Sequence, residues 1–168
     1  MCACKCLLSL CLVLWIGPLA GMVDALGKTH GSARVIRVAA LSFVPVKFDL
    51  MANADRLEAL FRQARRGGAV LAVAPEGALE GYVVNEIIAG QASPKQMQQV
   101  AVTSDGPLIR RFRNLARELE MCLAFGFAER QEQNVYNAAI FIDDQGRVCG
   151  KYHKMQFAEG YDASWWFN

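Results

Sequence analysis

The sequence predicts a mixed α/β domain, in which helices pack on a sheet that contains both parallel and antiparallel strands. Three observations support this fold class. A strand–helix–strand pattern occupies residues 35–74, a strongly amphipathic helix occupies residues 104–120, and three strands then follow between residues 122 and 152.

The first unit predicts a parallel pair of strands. Residues 35–43 are apolar and rich in β-branched side chains, which predicts a buried strand. Residues 49–66 carry apolar residues at helical spacing, with Asp49 placed to cap the start and Gly67 to end the helix. Residues 69–74 predict a second short buried strand, so the unit is β-α-β.

The remaining elements predict the antiparallel part of the sheet. Residues 77–92 indicate a loop with a short helix, and residues 94–102 indicate another helix. The helix over residues 104–120 has Ser104 or Asp105 as its expected cap and Pro107 in its first turn. Strands are expected over residues 122–128, 135–142 and 147–152, with the last two joined by a turn at residues 143–146.

The N-terminus is typical of an export signal. Residues 7–23 contain no charged side chain and follow Lys5, so residues 1–25 are interpreted as a signal peptide or, alternatively, an N-terminal anchor. Residues 26–33 are polar and small and are interpreted as a linker. The protein is therefore expected in the periplasm or outside the cell, with membrane contact through residues 7–23 if the segment is not cleaved.

Composition and charge exclude several classes of protein. The 168 residues carry 18 Lys and Arg against 16 Asp and Glu, and 54% of them are hydrophobic. This balance argues against a disordered chain and against a nucleic-acid partner. Four of the six cysteines lie in the first eleven residues, no pair has CxxC spacing and the chain has two histidines, so no metal site is expected. Nothing in the sequence indicates a cofactor.

Two positions carry residues suited to catalysis. Glu76 follows the second predicted strand, at the edge where α/β sheets present active groups, and can serve as a proton acceptor. Lys154 follows the last strand and can stabilise a developing oxyanion. An exposed or ion-paired side chain is the ordinary alternative at each of these strand ends.

The chain resembles the nitrilase superfamily of carbon–nitrogen hydrolases, because several short sequence motifs occur in the same order as in that family. The resemblance runs from about Arg37 to about Gln156. It is carried by Arg37-Val38-Ala39-Ala40-Leu41, Asn53, Ala74-Pro75-Glu76, Gly81-Tyr82, Gly106-Pro107, Gly126-Phe127-Ala128-Glu129, Val135-Tyr136-Asn137-Ala138-Ala139 and Gly150-Lys151-Tyr152-His153-Lys154. On this resemblance, residues 34–158 are the N-terminal part of the hydrolase domain, and residues 159–168 are an unassigned, truncated end.

The resemblance implies a fold and a mechanism. The fold is a four-layer αββα sandwich, of which this chain would supply about the first half. The mechanism uses a Glu–Lys–Cys triad, with Glu76 as general base, Lys154 as oxyanion stabiliser and a cysteine that attacks a small amide or nitrile substrate. Tyr82 is a candidate substrate-binding residue.

The family's nucleophilic cysteine follows the lysine, and residues 155–168 contain no cysteine. Cys122 opens a strand, and Cys149 is expected to be a small buried residue rather than a relocated nucleophile. We therefore expect a fragment or a chain that is inactive alone, which forms a homo-oligomer or lacks its C-terminal half. The alternatives are a non-catalytic binding or assembly module and the acyltransferase branch of the superfamily.

Overall fold

The computed structural model describes residues 35–156, which form one five-stranded sheet with helices. The strands are β1 (Val38–Ala40), β2 (Leu71–Val73), β3 (Cys122–Gln131), β4 (Asn134–Ile142) and β5 (Val148–His153), in the spatial order β1-β2-β3-β4-β5. The pairs β1–β2 and β2–β3 are parallel, whereas the pairs β3–β4 and β4–β5 are antiparallel. The predicted mixed sheet, β-α-β unit and final hairpin are therefore confirmed.

Within residues 35–156, four helices connect or cover these strands: α1 (Leu50–Arg66), α2 (Val84–Ile88), α3 (Pro94–Val100) and α4 (Pro107–Leu119). Asp49 caps α1 as predicted, because its side chain accepts a hydrogen bond from Ala52 N at 3.0 Å. The cap of α4 is Gly106, not Ser104 or Asp105 as predicted. Pro107 takes the first helical position, where a missing N–H costs nothing, so the helix begins one or two residues later than Ser104 and Asp105 suggest.

The core lies between one face of the sheet and the two long helices. Phe61 of α1, Phe112 of α4 and Phe125 of β3 are fully buried and contact each other, with ring centroids 4.8–6.3 Å apart. Since side chains alternate across a strand, residues 123, 125 and 127 of β3 face this core together with residues 138, 140 and 142 of β4. The helices thus cover one face of the sheet.

On the opposite face of the sheet, α2 and α3 pack against Ala128 and Val135, and the part around Val73 and Tyr152 is exposed to solvent. Val73 of β2 pairs with Ala124 of β3, and Ala139 of β4 pairs with Tyr152 of β5. Val73 is 41% exposed and Tyr152 is 53% exposed, so this face presents small and apolar side chains to solvent. The functional site described below lies on this face.

Three sequence predictions about the strands are wrong. Residues 35–43 and 69–74 form strands of only three residues each, because β1 and β2 pair with each other over that length alone. Val38 and Val73 are exposed, so neither strand is buried on both faces. Cys149, predicted to be buried, is exposed because it lies in β5, whose outer side has no partner strand within residues 35–156.

Several sequence predictions fall on residues that the structure does not describe. The signal or anchor over residues 1–25, the linker over residues 26–33 and the end at residues 159–168 lie outside residues 35–156. Among the described residues, no helix has both the length and the apolar character needed to cross a membrane.

Candidate active site

Glu76 lies in a tight turn that continues from the C-terminal end of β2. Beyond the last β2–β3 pair, Ala74 N donates to Ala124 O at 2.8 Å, so the chain stays beside β3. Gly126 N then donates to Pro75 O at 3.2 Å, and Ala78 N donates to Gly126 O at 2.9 Å. The turn therefore projects Glu76 between two main-chain hydrogen bonds to Gly126, over the open face of the sheet.

The turn approaches β3 so closely that Gly126 needs to lack a side chain. A Cβ placed on Gly126 would lie 2.6 Å from Glu76 Cα and 2.9 Å from Gly77 N. Gly77 itself has a φ of +61°, a conformation that glycine adopts without strain. Both glycines thus allow the backbone of Glu76 to rest directly on the sheet.

Two side chains from the antiparallel strands meet the Glu76 carboxylate. Lys154 Nζ lies 2.8 Å from Glu76 Oε1, and Asn137 Nδ2 donates to the same oxygen at 2.5 Å. Lys154 follows β5 and is held there because its main-chain N donates to Asn137 O at 2.8 Å. The Lys154 side chain is 19% exposed and that of Glu76 is 41% exposed, so water reaches the pair from the open face.

Asn53 of α1 fixes the far side of this site. Its side chain is buried, with Oδ1 accepting from Val46 N at 2.7 Å and Nδ2 donating to Val46 O at 2.7 Å and Leu79 O at 2.8 Å. One amide thus joins the loop before α1 to the segment that follows Glu76. The Asn53 identified from the sequence resemblance has a structural role in the site.

A cavity of about 540 Å³ opens beside Glu76 on the uncovered face. Its polar lining comes from Glu76, Asn137, Lys154 and Gln156, and its apolar lining includes Ala124 and Ala139. Tyr82, the predicted substrate-binding residue, does not line this cavity. It lines a second groove of about 330 Å³ on the other side of Glu76, together with Phe43, Val44 and Pro45.

Behind Lys154, on the helix-covered side of the sheet, Glu129 organises β5. Glu129 is fully buried and accepts hydrogen bonds from Lys151 Nζ at 2.7 Å and His153 Nε2 at 2.6 Å. Burial alone would raise the pKa of Glu129, but the hydrogen bonds from Lys151, His153 and Ser104 outweigh it and lower the pKa below its usual range. Because side chains alternate in a strand, holding residues 151 and 153 on this side directs Tyr152 and Lys154 to the open face.

The structure therefore brings Glu76 and Lys154 together and leaves Tyr82 in a neighbouring groove. It adds Asn137 and Gly126, to which sequence reasoning gave no functional role, although both stand in the family-like blocks. Cys149 does not line the cavity beside Glu76, and its Sγ donates to Asp143 Oδ2 at 3.3 Å. Within residues 35–156, no group of three His, Cys, Asp or Glu side chains is placed to hold a metal ion.

The arrangement suits transfer of protons next to a polarised carbonyl. A carboxylate that accepts from an ammonium and an amide can exchange protons with a bound molecule in the cavity. The ammonium can also donate to an oxygen that becomes negative during the reaction. These two roles require a reacting atom within hydrogen-bond reach of both Glu76 and Lys154.

Comparison with known proteins gives the same family at three levels. The family model "Carbon-nitrogen hydrolase" matches residues 37–164. A bifunctional nitrilase/nitrile hydratase from Lupinus angustifolius is 26% identical over 147 residues, which are 82% of this chain and 41% of that protein. A bromoxynil-specific nitrilase from Klebsiella pneumoniae subsp. ozaenae is 31% identical over 114 residues, or 66% of this chain and 33% of that protein.

Among solved structures, an amidase from Nesterenkonia sp. matches with a TM-score of 0.61 and 25% identity, over 79% of this chain and 47% of the amidase. A mutant of the Nesterenkonia amidase in complex with butyramide matches equally well, with a TM-score of 0.61 and 25% identity, over 79% of this chain and 48% of that one. The chain spans less than half the length of each of these relatives. The predicted nitrilase-type fold is therefore confirmed for the part of the fold that the chain covers.

Proposed function

This chain belongs to the carbon–nitrogen hydrolase family, and we propose from that premise that it carries the base and the cation of a site that hydrolyses small amides or nitriles. The observation that carries the proposal is the contact between Glu76 Oε1 and Lys154 Nζ at 2.8 Å, at the wall of a cavity of about 540 Å³. The nitrilase and amidase relatives support this class of substrate.

In the proposed reaction, the nucleophile is a cysteine thiol that these 168 residues do not supply, since no cysteine follows Lys154 among them. Glu76 accepts the thiol proton as the sulfur attacks the amide carbon and a C–S bond forms. Lys154 donates a hydrogen bond to the oxygen of the tetrahedral intermediate, which bears the negative charge. When the C–N bond breaks, Glu76 returns the proton to nitrogen, and ammonia leaves.

Water then completes the cycle. Glu76 accepts a proton from water as the water oxygen attacks the thioester carbon. Glu76 then returns this proton to sulfur as the C–S bond breaks, which gives the carboxylic acid and the free thiol. No redox partner or external proton source is needed, because water supplies every atom that the products gain. Asn137 holds the Glu76 carboxylate in place throughout, through its hydrogen bond to Oε1.

The size of the cavity supports a small substrate. A volume of about 540 Å³ accommodates a small organic molecule, with the amide end towards Glu76 and Lys154 and the carbon chain towards Ala124 and Ala139. The butyramide complex of the Nesterenkonia amidase supports an aliphatic amide as the first compound to test.

The test is ammonia release from butyramide and from butyronitrile by the product of the natural gene. The variant Lys154→Ala is expected to lower kcat at least about 100-fold, because an oxyanion donor typically contributes that much. Lys95→Ala is the matched control, since Lys95 is an exposed lysine of α3 outside the cavity. No release from either compound by the natural gene product, or equal kcat in its Lys154→Ala and Lys95→Ala variants, would overturn the proposed function, whereas the 168-residue chain alone is expected to release none.

We also propose that the protein is exported through residues 1–25, which carry the pattern of a signal segment. The test is N-terminal sequencing of the protein recovered from the periplasm or medium. A mature N-terminus near residue 26 supports export, whereas an intact Met1 in the cytoplasm contradicts it.

A further inference from the structure

Glu80 completes the hydrogen-bonded contact between the Glu76 turn and β3. Main-chain groups of residues 74, 75 and 78 bond in succession to Ala124 and Gly126. The next N–H of β3 on the side of β2 is that of Ala128, and it donates to Glu80 Oε2 at 2.9 Å. The Glu80 carboxylate thus takes the acceptor position that a main-chain carbonyl would hold if β2 continued beside β3.

The Glu80 carboxylate lies against the backbone of the Glu76 turn. A Cβ placed on Gly77, the residue after Glu76, would lie 2.7 Å from Glu80 Oε1. Glu80 is 4% exposed, and its neighbours Leu79 and Val83 are fully buried. One oxygen therefore bonds to β3 while the other contacts the turn that presents Glu76.

Burial makes the ionised form of the Glu80 carboxylate costly in free energy, and the neighbouring charges do not compensate for that cost. Burial raises the pKa of Glu80 to about 7; hydrogen bonds from its own backbone N–H and from Ala128 oppose the rise, the charge of Glu76 adds to it, and Lys47 reduces it. Lys47 is shared, because its Nζ also lies 3.1 Å from Glu86 Oε2 and donates to Tyr82 O at 3.0 Å. A glutamine would accept the same hydrogen bond from Ala128 without carrying a buried charge.

We propose that Glu80 is a positioning residue for the proposed hydrolysis. Its buried carboxylate fixes the turn that carries Glu76 on β3. The inference rests on the proposed function of Glu76, but the contact between Glu80 and Ala128 can be measured without it.

The first experiment follows amide resonances of the 15N-labelled protein between pH 5.5 and 8.5. The Ala128 and Gly77 amides are expected to shift with a common midpoint near pH 7, because Ala128 N donates to the Glu80 carboxylate and Gly77 lies beside it. In Glu80→Gln this step is expected to disappear, whereas in the control Glu132→Gln, which changes an exposed carboxylate in the β3–β4 turn, it remains. The proposal would be overturned if the wild-type amide chemical shifts do not change with pH, or if the same step appears in Glu80→Gln.

The second experiment compares pH profiles of ammonia release. Glu80→Gln keeps the acceptor for Ala128 N but loses the charge beside the Glu76 turn, so kcat above pH 7 is expected to fall about 3- to 10-fold. KM is expected to stay unchanged, because Glu80 does not line the cavity beside Lys154. The step near pH 7 in the wild-type kcat/KM profile is expected to vanish in the variant.

The two experiments separate this inference from the proposed function. If the wild-type protein releases no ammonia but the Ala128 step is present and depends on Glu80, the proposed function fails while the coupling of Glu80 to the turn stands. If the wild-type protein is active and Glu80→Gln has the wild-type pH profile and kcat, Glu80 has only a structural role and the proposal is overturned.

Discussion

Glu76 and Lys154 stand 78 residues apart in the chain, and their side chains meet at 2.8 Å on the open face of the sheet. Glu76 arrives from the parallel half of the sheet, at the end of β2. Lys154 arrives from the antiparallel half, at the end of β5. The mixed sheet therefore has a functional consequence, because it brings a strand end from each half to one position.

Gly126 is predicted to be essential for the geometry of Glu76. In Gly126→Ala the new methyl group would lie 2.6 Å from Glu76 Cα, and the turn has to move. We expect the free energy of unfolding to fall by about 1–3 kcal/mol, as for other overpacked sites. Urea denaturation measures this change.

Gly150→Ala is the matched control for that prediction. Gly150 lies in β5, and a Cβ placed there meets nothing within 4 Å. Its substitution is expected to change the free energy of unfolding by at most about 0.5 kcal/mol. Equal effects of the two substitutions would contradict the close approach of the Glu76 turn to β3.

The stability of the protein is predicted to depend on pH through Glu80. Its pKa is about 7 in the folded protein against 4.5 ordinarily, so the folded state binds the extra proton between these values. The contribution of Glu80 to stability is therefore greatest below about pH 4.5 and is lost as pH rises to about 7, by about 3 kcal/mol in total. Glu80→Gln should gain stability over the wild type at pH 8 and not at pH 4.5; thermal unfolding at both pH values checks this, and a gain at neither pH counts against it.

Glu129 is predicted to show the opposite dependence. Its pKa is lowered in the folded state, so its stabilising contribution is present above the ordinary value of 4.5 and is lost as pH falls through the folded value. Glu129→Gln should destabilise the protein at pH 7 by about 3–5 kcal/mol, because Lys151 and His153 lose a buried ionic partner. The loss should shrink at pH 3, and thermal melts with equal losses at both pH values would refute the role assigned to the Glu129 carboxylate.

The open face of the sheet predicts association of the 168-residue chain. Val38, Val73 and Tyr152 are each at least 41% exposed on or beside this face. Apolar surface of this kind is normally covered, so the isolated chain should self-associate, as expected for a chain that forms a homo-oligomer or lacks its C-terminal half. Light scattering after size-exclusion chromatography measures the mass, and Val73→Thr should reduce association; a monodisperse wild-type monomer would contradict the prediction.

Local sequence signals predicted the helices and the succession of strands along the chain well. The apolar spacing of α1 and the Asp49 cap are local features, and the structure has both. The length of β1 was predicted wrongly because it depends on β2, with which it pairs over three residues. Exposure of Cys149 likewise depends on whether another strand lies beside β5, which its own neighbours in the sequence do not encode.

The site was predictable in part. The positions of Glu76 and Lys154 at predicted strand ends singled out both residues, the resemblance placed them in one catalytic triad, and the structure brings the two side chains together. The roles of Asn137 and Gly126 depend on the register of β3 with β4 and on the path of the turn after β2. Neighbouring residues in the sequence therefore could not predict these roles. Glu80 carried no local signal, because its function depends on the position of Ala128 in a strand 48 residues away.

The measurement that tests the central claim most directly is ammonia release from butyramide by Glu76→Gln, with Glu132→Gln as control. Glutamine keeps the size of Glu76 and can still accept from Lys154, but it cannot take up a proton. If Glu76 is the general base, kcat of the gene's product falls at least about 100-fold in Glu76→Gln and stays within about twofold in Glu132→Gln. Wild-type kcat in Glu76→Gln would contradict the account.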